Sequence, residues 1–399
     1  MERDGRVVVV GAGLAGVESA RALRTLGHAG PLLLLGDEPH RPYDRPPLSK
    51  GVLAGLEEPW LDVDLDELGV ELRTGVRATG LRRGALETSE GELAFDGLVL
   101  AVGARPAPVP HAVTVRTLDD ALALRARLVA GASVVVVGAG WIGAEVATAA
   151  AAAGCEVVAV EALPEPLAGS LPQDLAARTR PWWEQAGVRL LTGTRVAGID
   201  DGLVRLEGGA PLAADVVVVA TGVRPATGWL AASPVELDAA GGLVVDEGLR
   251  TSMAGVVAVG DCASFPSRRY GRRLRVEHWD TALHAPEVAA ASLLGQEAAY
   301  DPVPYVWSDQ FGRTVQCVGH LPAAQRWVRR ESEAGWCAFG LSDVPSETGP
   351  LLVAAVGVGL PRDVVQARRV IERSGGIGPA VDEAALRDPA VQVRSAVRG

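Results

Sequence analysis

The chain carries one phosphate-cradling motif twice, Gly11-Ala12-Gly13-Leu14-Ala15-Gly16 and Gly138-Ala139-Gly140-Trp141-Ile142-Gly143. Each copy follows a β-branched run, residues 7–10 or 134–137, and opens an alanine-rich amphipathic stretch. That is the strand–turn–helix context the motif requires. The first glycine permits the tight turn and the second lets backbone approach a pyrophosphate. The third lets helix pack closely on strand, so that helix N–H groups face the phosphates. The repeat extends beyond the glycines: Leu100-Ala101-Val102-Gly103-Ala104-Arg105-Pro106 is echoed by Val219-Ala220-Thr221-Gly222-Val223-Arg224-Pro225. An aspartate-tipped strand, Val256-Val257-Ala258-Val259-Gly260-Asp261, follows the second copy. Two nucleotide cofactors are implied, held by two Rossmann-like units of an α/β fold.

The organisation is nested. Residues 1–110 form the first unit, 111–235 the second, and 236–301 return to the first with the Asp261 strand and a helical stretch over 281–294. Residues 302–399 are rich in tryptophan (Trp307, Trp327, Trp336), with short strand-like runs between polar turns. They end in a helix over 361–373 after a strand at 351–356, which reads as a small α+β cap or interface domain. At 399 residues and 48% hydrophobic, the chain can bury cores for two or three domains.

Several classes are disfavoured. The start, Met1-Glu2-Arg3-Asp4-Gly5, shows no basic-then-apolar signal pattern, so a cytoplasmic location is expected. The apolar stretch 133–160 is divided by glycines, Glu145 and Glu156 into strand, turn, helix and strand, which argues against a membrane span. A net charge of −11 argues against nucleic acid as the bulk partner. Cys155, Cys262, Cys317 and Cys337 lie too far apart to form a CxxC redox pair or a zinc cluster, and read as small buried hydrophobes; no metal site is expected.

Cofactor choice follows from the acids closing each unit's second strand. Residues 32–35 end at Gly36-Asp37-Glu38, and residues 157–160 at Glu161. An acid there bonds ribose hydroxyls and repels a 2′-phosphate. Glu161 is followed by Ala162-Leu163-Pro164-Glu165, with no arginine or lysine next to it, so NADH is favoured over NADPH. A solvated acid at a strand end is the alternative.

Together with the glycine motifs, Arg41-Pro42-Tyr43-Asp44-Arg45-Pro46-Pro47-Leu48-Ser49-Lys50, Val259-Gly260-Asp261-Cys262-Ala263 and Trp307-Ser308-Asp309-Gln310-Phe311 resemble the FAD-containing, NADH-dependent ferredoxin reductases. The resemblance runs in order from about Arg6 to the C-terminus. It implies a glutathione-reductase-like fold with an FAD domain, an inserted NAD domain and a C-terminal domain lining the flavin site. It further implies that Gly11, Gly13, Ala15 and Gly16 hold the FAD pyrophosphate and Asp37 the adenosine ribose. By the same resemblance, Arg45 and Lys50 would contact the cofactor, Ala78 would meet adenine through its backbone, and Arg116 would lie near the FAD phosphates. Asp261 accepts a ribityl hydroxyl, and Trp279 starts a helix whose N–H groups face the reduced flavin. Gly138, Gly140, Trp141, Ile142, Gly143, Glu161 and Gly222 fall to the NAD site.

Lys50 follows a rigid double proline, and Glu145 is read on the first turn of the NAD helix. In the resembling enzymes they form a charge pair beside flavin N5 and the nicotinamide; a surface lysine and a helix-favouring acid are the alternative. Two departures stand out. Trp141 replaces a tyrosine common in relatives, and Ala282-Leu283-His284-Ala285-Pro286-Glu287 lacks their glutamine and arginine. Arg268, Arg269, Arg272, Arg273 and Arg275 form a cationic run that reads either as a steering patch for an acidic ferredoxin or as a solvated loop. The resulting expectation is electron flow from NADH through FAD to a [2Fe–2S] ferredoxin serving a cytochrome P450 or a Rieske-type ring-hydroxylating oxygenase. Trp279 and Trp307 either line the electron exit or pack in a core. Competing readings are an NADH-sensing flavoprotein of the apoptosis-inducing-factor kind, and a disulfide reductase or NADH oxidase. The second needs a thiol that neither the helix over 14–26 nor the segment 41–50 supplies.

Overall fold

The computed structural model describes residues 4–343 and 349–398. Met1, Glu2 and Arg3, read above for a signal pattern, lie outside the described residues. Among those described, Val7–Val10 forms the centre of a parallel sheet ordered Val256–Ala258, Gly97–Leu100, Val7–Val10, Leu32–Leu35, Glu71–Arg73. Val7–Val10 and Leu32–Leu35 are unbroken valine and leucine runs because both faces are covered, and Val7, Val8 and Val9 are wholly buried, whereas the edge strand Glu71–Arg73 is partly exposed. Helices Leu14–Thr25 and Trp279–Leu293 pack against each other beside the sheet.

The second unit repeats the plan with Arg189–Leu191, Glu156–Val160, Ser133–Val137 and Val216–Val219, all parallel, and helix Trp141–Ala152. The duplication is atomic in detail. Gly11 N–H donates to the Leu35 carbonyl and Gly138 N–H to the Val160 carbonyl, both at 2.8 Å. Ala101 and Ala220 bond in the same way to Val10 and Val137, again at 2.8 Å. Each unit also carries a three-stranded antiparallel meander that the sequence reading did not find. One comprises Ala78–Arg82, Ala85–Thr88 and Gly91–Ala94, the other Val196–Asp200, Leu203–Leu206 and Leu212–Ala213. The echoed motifs meet physically: Ala104–Arg105 pairs antiparallel with Arg224–Pro225, joining one unit to the other.

The third part is a five-stranded antiparallel sheet ordered Tyr305–Gln310, Arg313–Gly319, Leu351–Val358, Gly335–Ser342, Arg326–Ser332. Helix Pro361–Arg373 lays Val364, Ala367 and Ile371 on it at helical spacing. The chain does not end there, as expected above; helix Glu383–Arg387 and a 3-10 turn, Val393–Ala396, follow. Two further corrections concern ends. The strand leading to Asp261 stops at Ala258, because Gly260 at φ +72° turns the backbone into a 3-10 turn, Gly260–Cys262, that carries the aspartate. The helix read over 281–294 spans Trp279–Leu293. Among the described residues, no helix is long and apolar enough to cross a membrane.

One buried cation fastens the third part together. Arg330, its side chain 1% exposed, forms a two-point pair with Asp363 at 3.0 and 2.6 Å. It also donates to the carbonyls of Asp388 and Val391 at 3.0 and 2.6 Å. Removing one member of such a pair strands the other. Arg330→Ala is therefore expected to lower the stability of this part by about 3–5 kcal/mol, read by denaturant titration of tryptophan fluorescence. A midpoint equal to the parent's would contradict that accounting.

Candidate functional site

The two glycine loops are shaped by what a side chain would strike. A Cβ on Gly16 would lie 1.8 Å from the Gly11 carbonyl oxygen, and one on Gly143 would lie 1.9 Å from that of Gly138. Neither position tolerates anything larger. A Cβ on Gly13 or Gly140 meets nothing within 4 Å, so these glycines border open space. Gly13 and Gly140 cap their helices without any side-chain hydrogen bond, and neither helix has an acid in its first turn. Both helix starts thus present unclaimed N–H groups to an open cradle, a fit for two pyrophosphates. Ala15 lies on the first helix, while Ile142, 41% exposed, opens the second beside the half-buried Trp141.

Around the first cradle the expected residues interlock. Asp37 pairs with Arg105, while Glu38 takes Tyr43 and Arg45, the latter at 2.9 Å. Arg45 also donates to the Arg116 carbonyl at 2.5 Å, and the Arg116 guanidinium pairs with Asp261 at 2.8 Å. Ala78 is buried at the start of its meander. Around the second cradle, Glu161 accepts from the N–H groups of Ala139 and Leu163, both at 2.8 Å, and so braces the loop; Gly222, at φ +105°, is exposed. Sequence neighbours of Glu161 include no base, but space supplies Arg180. It is already spent on Glu165 at 2.8 Å, the Pro164 carbonyl and Thr192.

Lys50 and Glu145 meet at 2.9 Å where the three parts join. Lys50 is held by the 3-10 turn Pro46–Ser49 before it, and its ammonium also reaches the Pro46 carbonyl at 3.3 Å. Glu145 is the fifth residue of its helix, so it stands in the second turn, not the first as the sequence suggested, and its side chain is 3% exposed. Ser49 and Ser308 each donate to its carboxylate at 2.5 Å. Neither serine, nor Gln310 behind Ser308, had been singled out for a role. The signal available was a strand, Tyr305–Gln310, with polar residues at two buried alternate positions, Ser308 and Gln310.

Beside this pair stands an aromatic group. Trp279 donates its indole N–H to Asp44 at 2.9 Å, and burial raises the Asp44 carboxyl above its ordinary range. Trp279 meets Trp307 edge-on at 5.7 Å, and Tyr305 stacks on Trp307 at 5.8 Å. His278, also missed, packs edge-on against Trp307 and accepts its backbone N–H at 3.3 Å. The cysteines are placed otherwise. All four are free; Cys262 is fully buried, directs its Sγ at the carbonyls of Leu100 and Val259, and burial pushes its thiol up to about 12.

The arginine run is largely consumed internally. Arg268 pairs with Glu247 and Arg275 with Glu277; Arg269 donates to the carbonyls of Ile371 and Gly376, and Arg273 to those of Val245 and Ser264. Four of its five positions thus make contacts within the chain, while the Arg268 side chain remains 74% exposed.

Residues 5–285 match the family described as pyridine nucleotide-disulphide oxidoreductase, and residues 305–397 the family described as reductase C-terminal. The chain is 35% identical to the ferredoxin–NAD(+) reductase component of the anthranilate 1,2-dioxygenase system of Burkholderia cepacia, over 97% of this chain and 98% of that one. It is 43% identical to Fdr9, whose crystal structure it matches with a TM-score of 0.89 over 97% and 99% of the two chains. It also matches the covalent putidaredoxin reductase–putidaredoxin complex, at 32% identity and a TM-score of 0.91, over 98% and 97%.

His278 makes a pH limb readable. Burial is the main cause that lowers its pKa to about 4, against the Trp307 carbonyl and the charges of Asp261 and Asp280, which raise it, while Lys50 lowers it further. The ring is therefore neutral in the fold at pH 7, and in the unfolded chain it takes a proton near pH 6.5. Its contribution to stability is complete above about pH 6.5 and is lost as pH falls towards 4. His278→Asn should flatten the fall in thermal midpoint across that window; an unchanged slope would show that other groups carry it.

Proposed function

Because the chain belongs to the pyridine nucleotide-disulphide oxidoreductase family and carries a reductase C-terminal region, we propose that it is an FAD-containing, NADH-dependent ferredoxin reductase. Its electrons pass to a [2Fe–2S] ferredoxin that serves a cytochrome P450 or ring-hydroxylating oxygenase. The observation that carries this reading is the Lys50–Glu145 pair, held at the meeting point of two glycine cradles and the C-terminal sheet. Residues 1–110 and 236–301 are assigned to FAD, 111–235 to NADH and 302–399 to the interface with the flavin site. A cytoplasmic location belongs to the same reading and suits four free cysteines.

In this reading Gly11, Gly13, Ala15 and Gly16 hold the FAD pyrophosphate on backbone N–H groups, and Arg45 and Arg116 supply positive charge near it. Asp37 takes the adenosine ribose, Ala78 the adenine edge, and Asp261 a ribityl hydroxyl. Gly138, Gly140, Ile142 and Gly143 repeat the cradle for NADH, with Glu161 on its ribose, Gly222 at the rim, and Trp141 beside the nicotinamide. Bound FAD supplies the exchange between the electron pair of a hydride and the single electrons a ferredoxin accepts. Lys50 and Glu145 orient the nicotinamide carboxamide, and the N-terminus of the Trp279 helix favours negative charge nearby. Trp279 and Trp307 exclude water from that region.

The thiol alternative loses ground at Cys262. A thiol pushed up to about 12 and bonded to two carbonyls is not a nucleophile at neutral pH. In stopped-flow mixing with NADH, Lys50→Ala should slow flavin reduction by about a hundredfold. Cys262→Ser should keep NADH-dependent ferredoxin reduction within about twofold of the parent. Loss of turnover in the serine variant, with FAD content intact, would force a return to thiol chemistry.

Nucleotide choice offers a separate check. Glu161 repels a 2′-phosphate and Arg180 is neutralised by Glu165. NADH should therefore reduce the flavin at least about tenfold more efficiently than NADPH. The double variant Glu161→Ala/Glu165→Gln, which frees Arg180, should narrow that gap. Equal efficiency with both nucleotides in the parent would refute the assignment.

A further inference from the structure

Both oxygens of the Glu145 carboxylate are engaged: Oε2 by Ser49, and Oε1 jointly by Lys50 and Ser308. Ser308 comes from the C-terminal sheet, is wholly buried, and has a single proton to give. Gln310 Nε2 donates to Ser308 Oγ at 3.0 Å, so the serine's own proton is directed to Glu145 at 2.5 Å. Gln310 Oε1 is left without a hydrogen-bond partner among the described residues, in a side chain 1% exposed. Turned the other way, the amide would satisfy that oxygen by taking Ser308's proton, and Glu145 would lose a donor. The arrangement therefore has a direction, from Gln310 through Ser308 to Glu145.

A second contact keeps this strand in register with the helix. Phe311 N–H donates to Thr148 Oγ1 at 3.0 Å, one helical turn beyond Glu145. Ser308 and Gln310 are two apart on the strand and share its buried face, so both reach the same side of the NAD-unit helix.

We propose that Ser308 and Gln310 are positioning residues that hold the Glu145 carboxylate on Lys50 from the C-terminal sheet. The inference rests on the assignment of the Lys50–Glu145 pair to the NADH reaction. It makes the third part of the chain a determinant of the hydride step, in addition to whatever it does towards a ferredoxin.

The test uses the FAD-loaded protein. Ser308→Ala should lower the limiting rate of flavin bleaching by NADH about tenfold, while the dissociation constant for NAD+ stays within about twofold. Ser308→Thr, which keeps the hydroxyl, should restore the rate to within about threefold. Gln310→Met should cost about threefold, and adding it to Ser308→Ala should cost nothing more, because Gln310 acts through Ser308. Independently of activity, a crystal structure of Ser308→Ala should show Glu145 more than about 4 Å from the Lys50 ammonium. A retained ion pair with an unchanged rate would overturn the proposal, as would an additive effect of Gln310→Met. If Lys50→Ala slows flavin reduction and Ser308→Ala does not, only the relay fails. If Lys50→Ala itself has no effect, the underlying assignment falls and the relay with it.

Discussion

A carboxylate taken out of water must be met by donors or give up its charge by taking a proton, and Glu145 is a buried carboxylate met by donors. Its donors come from Ser49 and Lys50 in the first unit and Ser308 in the third, while Glu145 itself belongs to the second. No single unit can satisfy it alone. The contacts of Glu145 are therefore complete only when all three parts are in place.

A second buried pair reinforces the closure. Arg368, on helix Pro361–Arg373, grips Asp280 through two bonds of 3.0 Å, next to Trp279 on the first unit's returning helix. The same guanidinium lies over the Tyr305 ring at 5.2 Å. Arg269 completes the seam by capping the end of that helix through its carbonyls. The aromatic group at the site is thus held from behind by ion pairs, which restricts the freedom of Trp279 and Trp307 without any covalent tie.

What could be read from the sequence was local. Strands Val7–Val10 and Leu32–Leu35 and both glycine turns follow from runs and turns of a few residues. The two meanders escaped because their strands are short and half-exposed, with Gly80 and Gly198 breaking the alternation at register shifts. The arginines between positions 268 and 275 were legible only as charge, because partners such as Glu247 for Arg268 and the Ile371 and Gly376 carbonyls for Arg269 come from distant positions. Ser308 and Gln310 lay within a quoted motif. Only the fold shows that these two members of the strand turn inward, Ser308 towards a helix more than 150 residues earlier.

The return of the chain to its first sheet has a consequence for biosynthesis. Strand Gly97–Leu100 keeps one edge unpaired until Val256–Ala258 has been made, and the whole second unit is synthesised in between. The inserted unit has all the strands of its own sheet by Val219, so that sheet can form while its host is still waiting. During that interval the host presents a bare hydrophobic strand edge, the kind of surface that recruits chaperones or pairs with another nascent copy.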